Sequence, residues 1–255
     1  MSGIVKPPFG TPLNRAHWAA QGLVASYLFN ENSGRTVYDS SGNENHGTMI
    51  GFGAEDTPTS GWCAGPHGGA IVKTLNGEKT TASGRPSLSS ISVVAGITLS
   101  GSSYGHIVSR YGASGQQYAL YATINNLKFY VNSGSESSAV SFGSTAPLAQ
   151  YHIIAGTFNG QTKQQCVYLN GVGASRTYNV SLINPAADDV IGGSAFAVDN
   201  FTAGVYNFVH RYSRALSPEE IAYLSAFPYC MYEQDDAIFS NTVPAKMSHM
   251  RRMVA

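Results

Sequence analysis

The sequence predicts an all-β fold, a sandwich of two antiparallel sheets carrying one short C-terminal helix. Three observations lead there. Short runs of β-branched and aromatic residues recur from residue 22 to residue 212 at the spacing of sandwich strands. Gly, Ser and Asn clusters separate the runs, and Asn and Gly tolerate the positive φ of tight turns. One segment only, Ser217-Pro218-Glu219-Glu220, carries the full set of helix-start signals.

In chain order, residues 1–21 hold Pro7, Pro8 and Pro12 with little periodicity and read as an N-terminal arm. The run Leu23 to Phe29 breaks into Asn30-Glu31-Asn32-Ser33-Gly34, and the short Thr36-Val37-Tyr38 follows. Next comes Asp39-Ser40-Ser41-Gly42-Asn43-Glu44-Asn45-His46-Gly47, a turn-forming stretch rich in oxygen ligands for a hard cation. Further strands are expected at 70–75, 90–99, 106–111, 118–123, 127–131, 151–158, 166–169, 189–191 and 205–212. Asn125-Asn126 and Asn170-Gly171 fall where hairpin turns belong. In the helix, Ser217 is the N-cap, Pro218 the first residue and Glu220 the capping-box partner; Leu216, Ile221 and Leu224 form its apolar stripe, and Pro228 ends it. The main domain then spans 22–227, and 228–255 is an extension outside the sandwich, suited to contact another subunit.

A chain of 255 residues suits a single sandwich. Only 12% of residues are charged, against about 25% in typical soluble domains, so hydroxyls and amides dominate the surface. Fifteen basic and fifteen acidic residues cancel, leaving no net field to draw nucleic acid or anionic membrane. The basic tail of Lys246, Arg251 and Arg252 is too short for a nucleic-acid site. Cys63, Cys166 and Cys230 make an odd count, which gives no disulfide framework and fits a reducing compartment. Cys166 lies in a strand-like run and reads as a buried inert thiol. Residues 1–8 lack the apolar core of a signal peptide, and no apolar run approaches the ~20 residues of a membrane span.

Three segments resemble the laminin-G-like, concanavalin A-like jelly-roll family. They are the 22–48 stretch, then Gln150 to Gly160 with Val167-Tyr168-Leu169-Asn170-Gly171, and finally Gly204 to Leu224 with its Tyr212-Ser213-Arg214-Ala215-Leu216-Ser217-Pro218-Glu219-Glu220-Ile221 close. The resemblance covers about residues 22–226 and implies a jelly-roll that binds or adheres and seldom catalyses. The family's usual Trp is Tyr151 here, and Asn207 stands where an Asp is frequent. Family members hold a structural calcium with the Asp of the opening loop and an acidic residue of the closing strand. By that resemblance Asp39 and Asn207 are the candidate metal residues, weakened by one lost carboxylate. The alternative is that Asp39 caps its turn by accepting backbone N–H bonds. His46 reads as a turn residue and His152 as a packing residue of the second hairpin.

Glucanases on this jelly-roll use two carboxylates about 5 Å apart on one strand. Here Glu233-Gln234-Asp235-Asp236 lacks the second glutamate, and Glu55-Asp56 and Asp188-Asp189 are adjacent pairs that face opposite sides of a strand. No Gly-x-Ser-x-Gly, His-Glu-x-x-His or phosphate loop occurs, so the expectation is no enzyme and no catalytic residue. Fifteen tyrosines and two tryptophans supply platforms for sugars or proteins. Of Tyr118 and Tyr121, one is expected in the core and the other outside. Trp62, Cys63 and His67, in a Gly/Pro-rich loop from Gly61 to Gly69, are loop-tip contact candidates, as are Tyr104 and Tyr111; a core or stacking role competes for each.

The start, Pro12-Leu13-Asn14-Arg15 into Gly22-Leu23-Val24, and the end, Leu224 to Tyr229, resemble stand-alone laminin-G-like proteins of tailed bacteriophages. The leading expectation is therefore a virion structural or decoration protein, made in the host cytoplasm. Its partners would be other virion subunits or copies of itself, with surface glycans as a further ligand. A carbohydrate-binding lectin outside any virion is the alternative, and a glycoside hydrolase is disfavoured.

Overall fold

The computed structural model describes residues 5–52, 61–75, 77–82, 87–100, 105–112, 115–123, 126–132, 139–143, 147–193 and 202–232. Two antiparallel sheets pack face to face. The first runs β14 (Val172–Thr177), β13 (Gln164–Leu169), β12 (Tyr151–Phe158), β7 (Ile91–Leu99), β16 (Gly204–Tyr212), β5 (Gly68–Lys73) and β4 (Trp62–Gly65). A further strand, β1 (Leu23–Tyr27), also pairs with β16. The second sheet runs β11 (Ala139–Phe142), β10 (Leu127–Val131), β9 (Gly115–Ala122), β8 (Gly105–Gly112), β15 (Asp189–Ile191), β6 (Lys79–Ala82), β3 (Gly47–Ile50) and β2 (Thr36–Val37).

Period-two alternation aims one face of each strand inward. Tyr118, Leu120 and Ala122 of β9 and Leu127, Phe129 and Val131 of β10 enter the inter-sheet core, while Tyr121 packs outside against Tyr130. Asn170 (φ 50°) and Gly171 (φ 84°) make the tight turn between β13 and β14, as the Asn-Gly pair requires. Asn125 lies outside the described residues. The Gly61–Gly69 segment, expected as a loop, is instead the hairpin of β4 and β5, with Gly65 opposite Gly68. β3, β6, β11 and β14 likewise add strands that the sequence runs do not mark.

The outer face of the first sheet carries a second apolar core. Helix α1 (Pro218–Ala226) lays Ile221 and Leu224 over Ile153, Ala155 and Phe208. Its N-cap has the expected capping box: Glu220 N donates to Ser217 Oγ (3.2 Å), and Ser217 N donates to Glu220 Oε2 (2.8 Å). Both terminal segments join this core. Ala19 of a 3-10 turn (Trp18–Ala20) and Tyr229, Met231 and Tyr232 are buried in it. Leu13 bridges Tyr232, and Asn14 N donates to Met231 O at 2.8 Å. A fully buried large apolar side chain such as Met231 contributes about 1.5–3 kcal/mol, so residues 13–20 and 229–232 help hold the sheet they cover. Cys166 is buried in the same cluster.

Between the sheets lies one ionic cluster. Asp189 accepts Arg110 Nε on Oδ1 (3.0 Å), Arg110 Nη2 on Oδ2 (2.9 Å) and Tyr118 O–H on Oδ1 (2.6 Å). Arg211, from the opposite sheet, pairs with the same carboxylate. These groups are almost fully buried, and each guanidinium is paired with the one carboxylate, as buried charges require a partner.

Candidate functional site

The Asp39 loop is built around one carboxylate. Oδ1 accepts the backbone N–H of Ser26 (2.8 Å) and of Ser41 (2.9 Å), while Oδ2 accepts Ser41 Oγ–H (2.8 Å) and the backbone N–H of Asn45 (3.0 Å). Four donors fill the roughly four lone-pair sites of a carboxylate. His46 Nδ1 accepts the Asp39 backbone N–H at 3.1 Å, which gives this histidine a turn role.

Asn207 stands elsewhere. Asp39 bridges Tyr27 on one side of β1, while β16 pairs with Tyr27 through Val209 on the other, so the strand runs between the two candidate metal residues. The Asn207 side chain is wholly buried and neither its Oδ1 nor its Nδ2 has a hydrogen-bond partner. Its main-chain oxygen accepts the Lys6 ammonium at 2.7 Å. Calcium takes six to eight oxygens with negative charge among them. As arranged, Asp39 and Asn207 do not form one such shell.

An open cleft of about 240 Å³ lies between the β4–β5 hairpin and the Asn30–Gly34 loop, lined by Asn32, Trp62, Cys63, Ala64, Gly68 and Gly69. Trp62 Nε1–H donates to Gly34 O at 2.8 Å, which fixes the indole at the cleft wall with part of its surface uncovered. Asn32 adopts φ 60°, and its Nδ2 donates to Asn30 O at 3.1 Å. A Cβ on Gly69 would meet Asn32 Oδ1 at 2.7 Å and Phe29 O at 2.9 Å; only glycine lets loop and hairpin approach this closely. Burial pushes the Cys63 thiol pKa up, against a smaller opposing pull from Lys6, so the sulfur lines the cleft as a thiol. His67, at the hairpin turn, rests edge-on against Tyr151 with centroids 4.5 Å apart.

Across the same loop, Phe9 and Tyr38 are 56% and 44% exposed and stack edge to face at 5.5 Å. His46 meets Tyr38 at 5.1 Å. Glu31 ties the two sides together, its Oε1 accepting the Tyr38 backbone N–H at 2.7 Å. Desolvation raises the Glu31 pKa. The loop thus has an aromatic surface on each side. The sequence marked Trp62 and Cys63 as contact candidates; it gave no sign of Phe9, whose exposure depends on how the arm folds back.

His152, Glu78 and Asp189 have structural partners. His152 Nε2 donates to Pro147 O at 3.1 Å and its Nδ1 accepts Asn170 Nδ2–H at 3.0 Å. Glu78 caps the backbone N–H groups of Thr74 and Leu75, and Asp189 belongs to the ionic cluster. Tyr111 is half-buried at the end of β8. Tyr104, Glu55, Asp56 and the stretch from Glu233 to Asp236 lie outside the described residues.

Comparison with known proteins agrees with this architecture. The family described as the concanavalin A-like lectin/glucanases superfamily matches residues 76–222. No individual curated protein matches by sequence. Domain 4 of an extracellular arabinanase from Geobacillus stearothermophilus, solved in complex with arabinotriose, superposes with a TM-score of 0.61 at 21% identity, over 80% of this chain and 98% of that one. The binding domain of Paraclostridial Mosquitocidal Protein 1 gives 0.60 at 14% identity, over 81% and 52%. The botulinum neurotoxin serotype D ligand-binding domain, in complex with N-acetylneuraminic acid, gives 0.58 at 14%, over 81% and 51%. The chain spans about half the length of these two toxin structures. At such identities the likeness is one of fold.

Proposed function

This chain belongs to the concanavalin A-like lectin/glucanases superfamily, and we propose that within it the protein is a non-enzymatic adhesion module whose Trp62 cleft takes a glycan. The observation that carries the reading is the cleft itself: an indole wall, an asparagine amide and a floor of glycine and alanine. Sugar rings offer C–H faces that stack on aromatic rings and hydroxyls that bond to amides. The cavity is smaller than the ~300–1,000 Å³ of sites that enclose drug-sized ligands, which suits one terminal sugar ring. The exposed Phe9–Tyr38–His46 surface extends the contact to neighbouring residues of the glycan. Two of the solved relatives, each under 25% identical, were captured with a sugar, and this supports the choice of ligand class by analogy alone.

The setting we propose is a virion. The protein would be made in the host cytoplasm and would decorate a head or tail through other virion subunits or copies of itself. Low surface charge, free thiols and the phage-like start and end of the domain support this setting. The carboxylates among the described residues that are bound into caps, turns or the ionic cluster support the non-enzymatic part of the reading.

A glycan array probed with the intact chain and with Trp62→Ala tests the cleft. The expected result is binding to a small set of related glycans by the intact chain and its loss in the variant. An empty array, or equal binding by both, overturns it. Electron microscopy of the native particle with labelled antibody tests the setting; a particle free of label contradicts it.

A further inference from the structure

The first sheet contains a gap where β16 changes partner. Gly204 to Tyr206 pair with Lys73 to Ile71 of β5, and Val209 to Tyr212 pair with Tyr27 to Leu23 of β1. At Asn207 and Phe208 neither ladder is continuous, and the pairing of β16 with β7 on its other side shifts register at the same point. Main-chain carbonyls that lose their ladder donors in a buried place must find others. Three converge here: Leu28 O past the end of β1, Gly69 O in β5, and Asn207 O in β16.

The Lys6 ammonium meets all three. Nζ donates to Leu28 O at 2.6 Å, to Asn207 O at 2.7 Å and to Gly69 O. An ammonium has three N–H bonds, and each is used. Lys6 is 8% exposed, and the elements packed around it bring three titratable groups within its field, Glu31, Cys63 and His210. Glu31 Oε2 and both polar atoms of the Asn207 side chain are buried there without a hydrogen-bond partner. Asn30 Nδ2 holds the adjoining Pro7 O at 3.0 Å.

We propose that the Lys6 ammonium is the structural cation of this domain, filling an oxygen-lined site at the β1–β5–β16 junction in place of a metal ion and fastening the N-terminal arm to the sheet. The inference stands independently of the glycan reading. A tethered cation loses no translational freedom on binding and cannot be chelated away, so the fold does not depend on calcium. Burial lowers the Lys6 pKa to about 7, opposed by the nearby Glu31 and Cys63. The three carbonyl dipoles face the protonated form and favour it.

The test is thermal melting of the full chain. The wild-type midpoint should be the same in millimolar calcium chloride and in a calcium chelator. Lys6→Ala should melt several degrees lower. Ethylammonium chloride, a free primary ammonium, should raise the midpoint of Lys6→Ala, whereas tetramethylammonium chloride, which has no N–H donor, should not. A wild-type midpoint that rises with calcium and falls with chelator overturns the proposal. So does a Lys6→Ala protein that melts with the wild type, or one on which the two ammonium salts act alike. If Lys6→Ala does not fold, nitrogen-15 spectra of the wild type at pH 6 decide. One lysine Nζ signal should exchange slowly with water; its absence overturns the assignment.

Discussion

Arg110 grips Asp189 through two hydrogen bonds, Nε to Oδ1 at 3.0 Å and Nη2 to Oδ2 at 2.9 Å, with both side chains buried between the sheets. Arg211 reaches the same carboxylate from the other sheet, so one aspartate joins the two halves of the sandwich. Removing it would leave two guanidinium groups facing each other without water. Asp189→Ala is expected to lower unfolding free energy by about 3–5 kcal/mol, the range for breaking a buried ion pair. Urea denaturation measures this, and a loss below ~1 kcal/mol would show that the cluster does not join the sheets.

Asp39 is expected to behave as a turn keystone. Replacing it by asparagine keeps the shape but leaves one oxygen for two of the four donors and turns an N–H₂ toward the other two. Hydrogen bonds to a charged acceptor are each worth about 1.5–3 kcal/mol, and partial re-pairing should limit the loss for Asp39→Asn to roughly 2–3 kcal/mol. The same urea series reads it out. Calcium added to wild type should leave the midpoint in place.

Acid should weaken the fold through its buried histidines. Burial holds His210 and His106 at about 4, against 6.5 for an exposed histidine. His210 accepts from Ser26 Oγ–H at Nδ1 (2.9 Å) and donates from Nε2 to Pro228 O (3.0 Å), an arrangement that needs the neutral ring. Both folded pKa values lie below the unfolded one, so between those values the unfolded chain binds more protons. The stability is therefore complete above pH 6.5 and lost as pH falls toward 4, on the order of 3 kcal/mol for each ring. Melting curves from pH 7.5 to 4.5 should show this limb, and His210→Gln should make it shallower. A flat profile over that window would contradict the assignment.

Helix α1 is expected to depend on its cap. Ser217→Ala removes the oxygen that accepts the Glu220 N–H, at a loss of about 1 kcal/mol. The helix covers the outer face of the first sheet and does not touch the cleft, so chemical denaturation should shift while glycan binding stays unchanged.

Much of this fold is legible in the sequence, and the reasons for the exceptions are physical. The long central strands β7, β12 and β16 are continuous apolar or alternating runs, and the capping box at Ser217 is a local signal. The unmarked strands are short and weak: β4 is Trp-Cys-Ala-Gly and β14 contains Gly173 and two hydroxyl residues, so pairing with neighbours, rather than propensity, makes them strands. At the site, Trp62 was visible as an aromatic in a glycine-rich stretch, and Asp39 as an Asx turn. Lys6 was not. Its partners are main-chain oxygens up to 201 residues away, and a carbonyl leaves no mark on the sequence. Arg110 and Arg211 were equally hidden, each in a strand whose inward face reads as apolar.

The central claim, a glycan held against Trp62, is most directly tested by the fluorescence of that indole. Trp18 packs edge-on against Tyr223, and Trp18→Phe leaves Trp62 as the sole tryptophan. Titrating this variant with the glycan chosen by the array should give a saturable blue shift of the emission, with a midpoint matching the affinity from calorimetry. Calorimetric binding with unchanged Trp62 emission would contradict the account and place the ligand elsewhere on the domain.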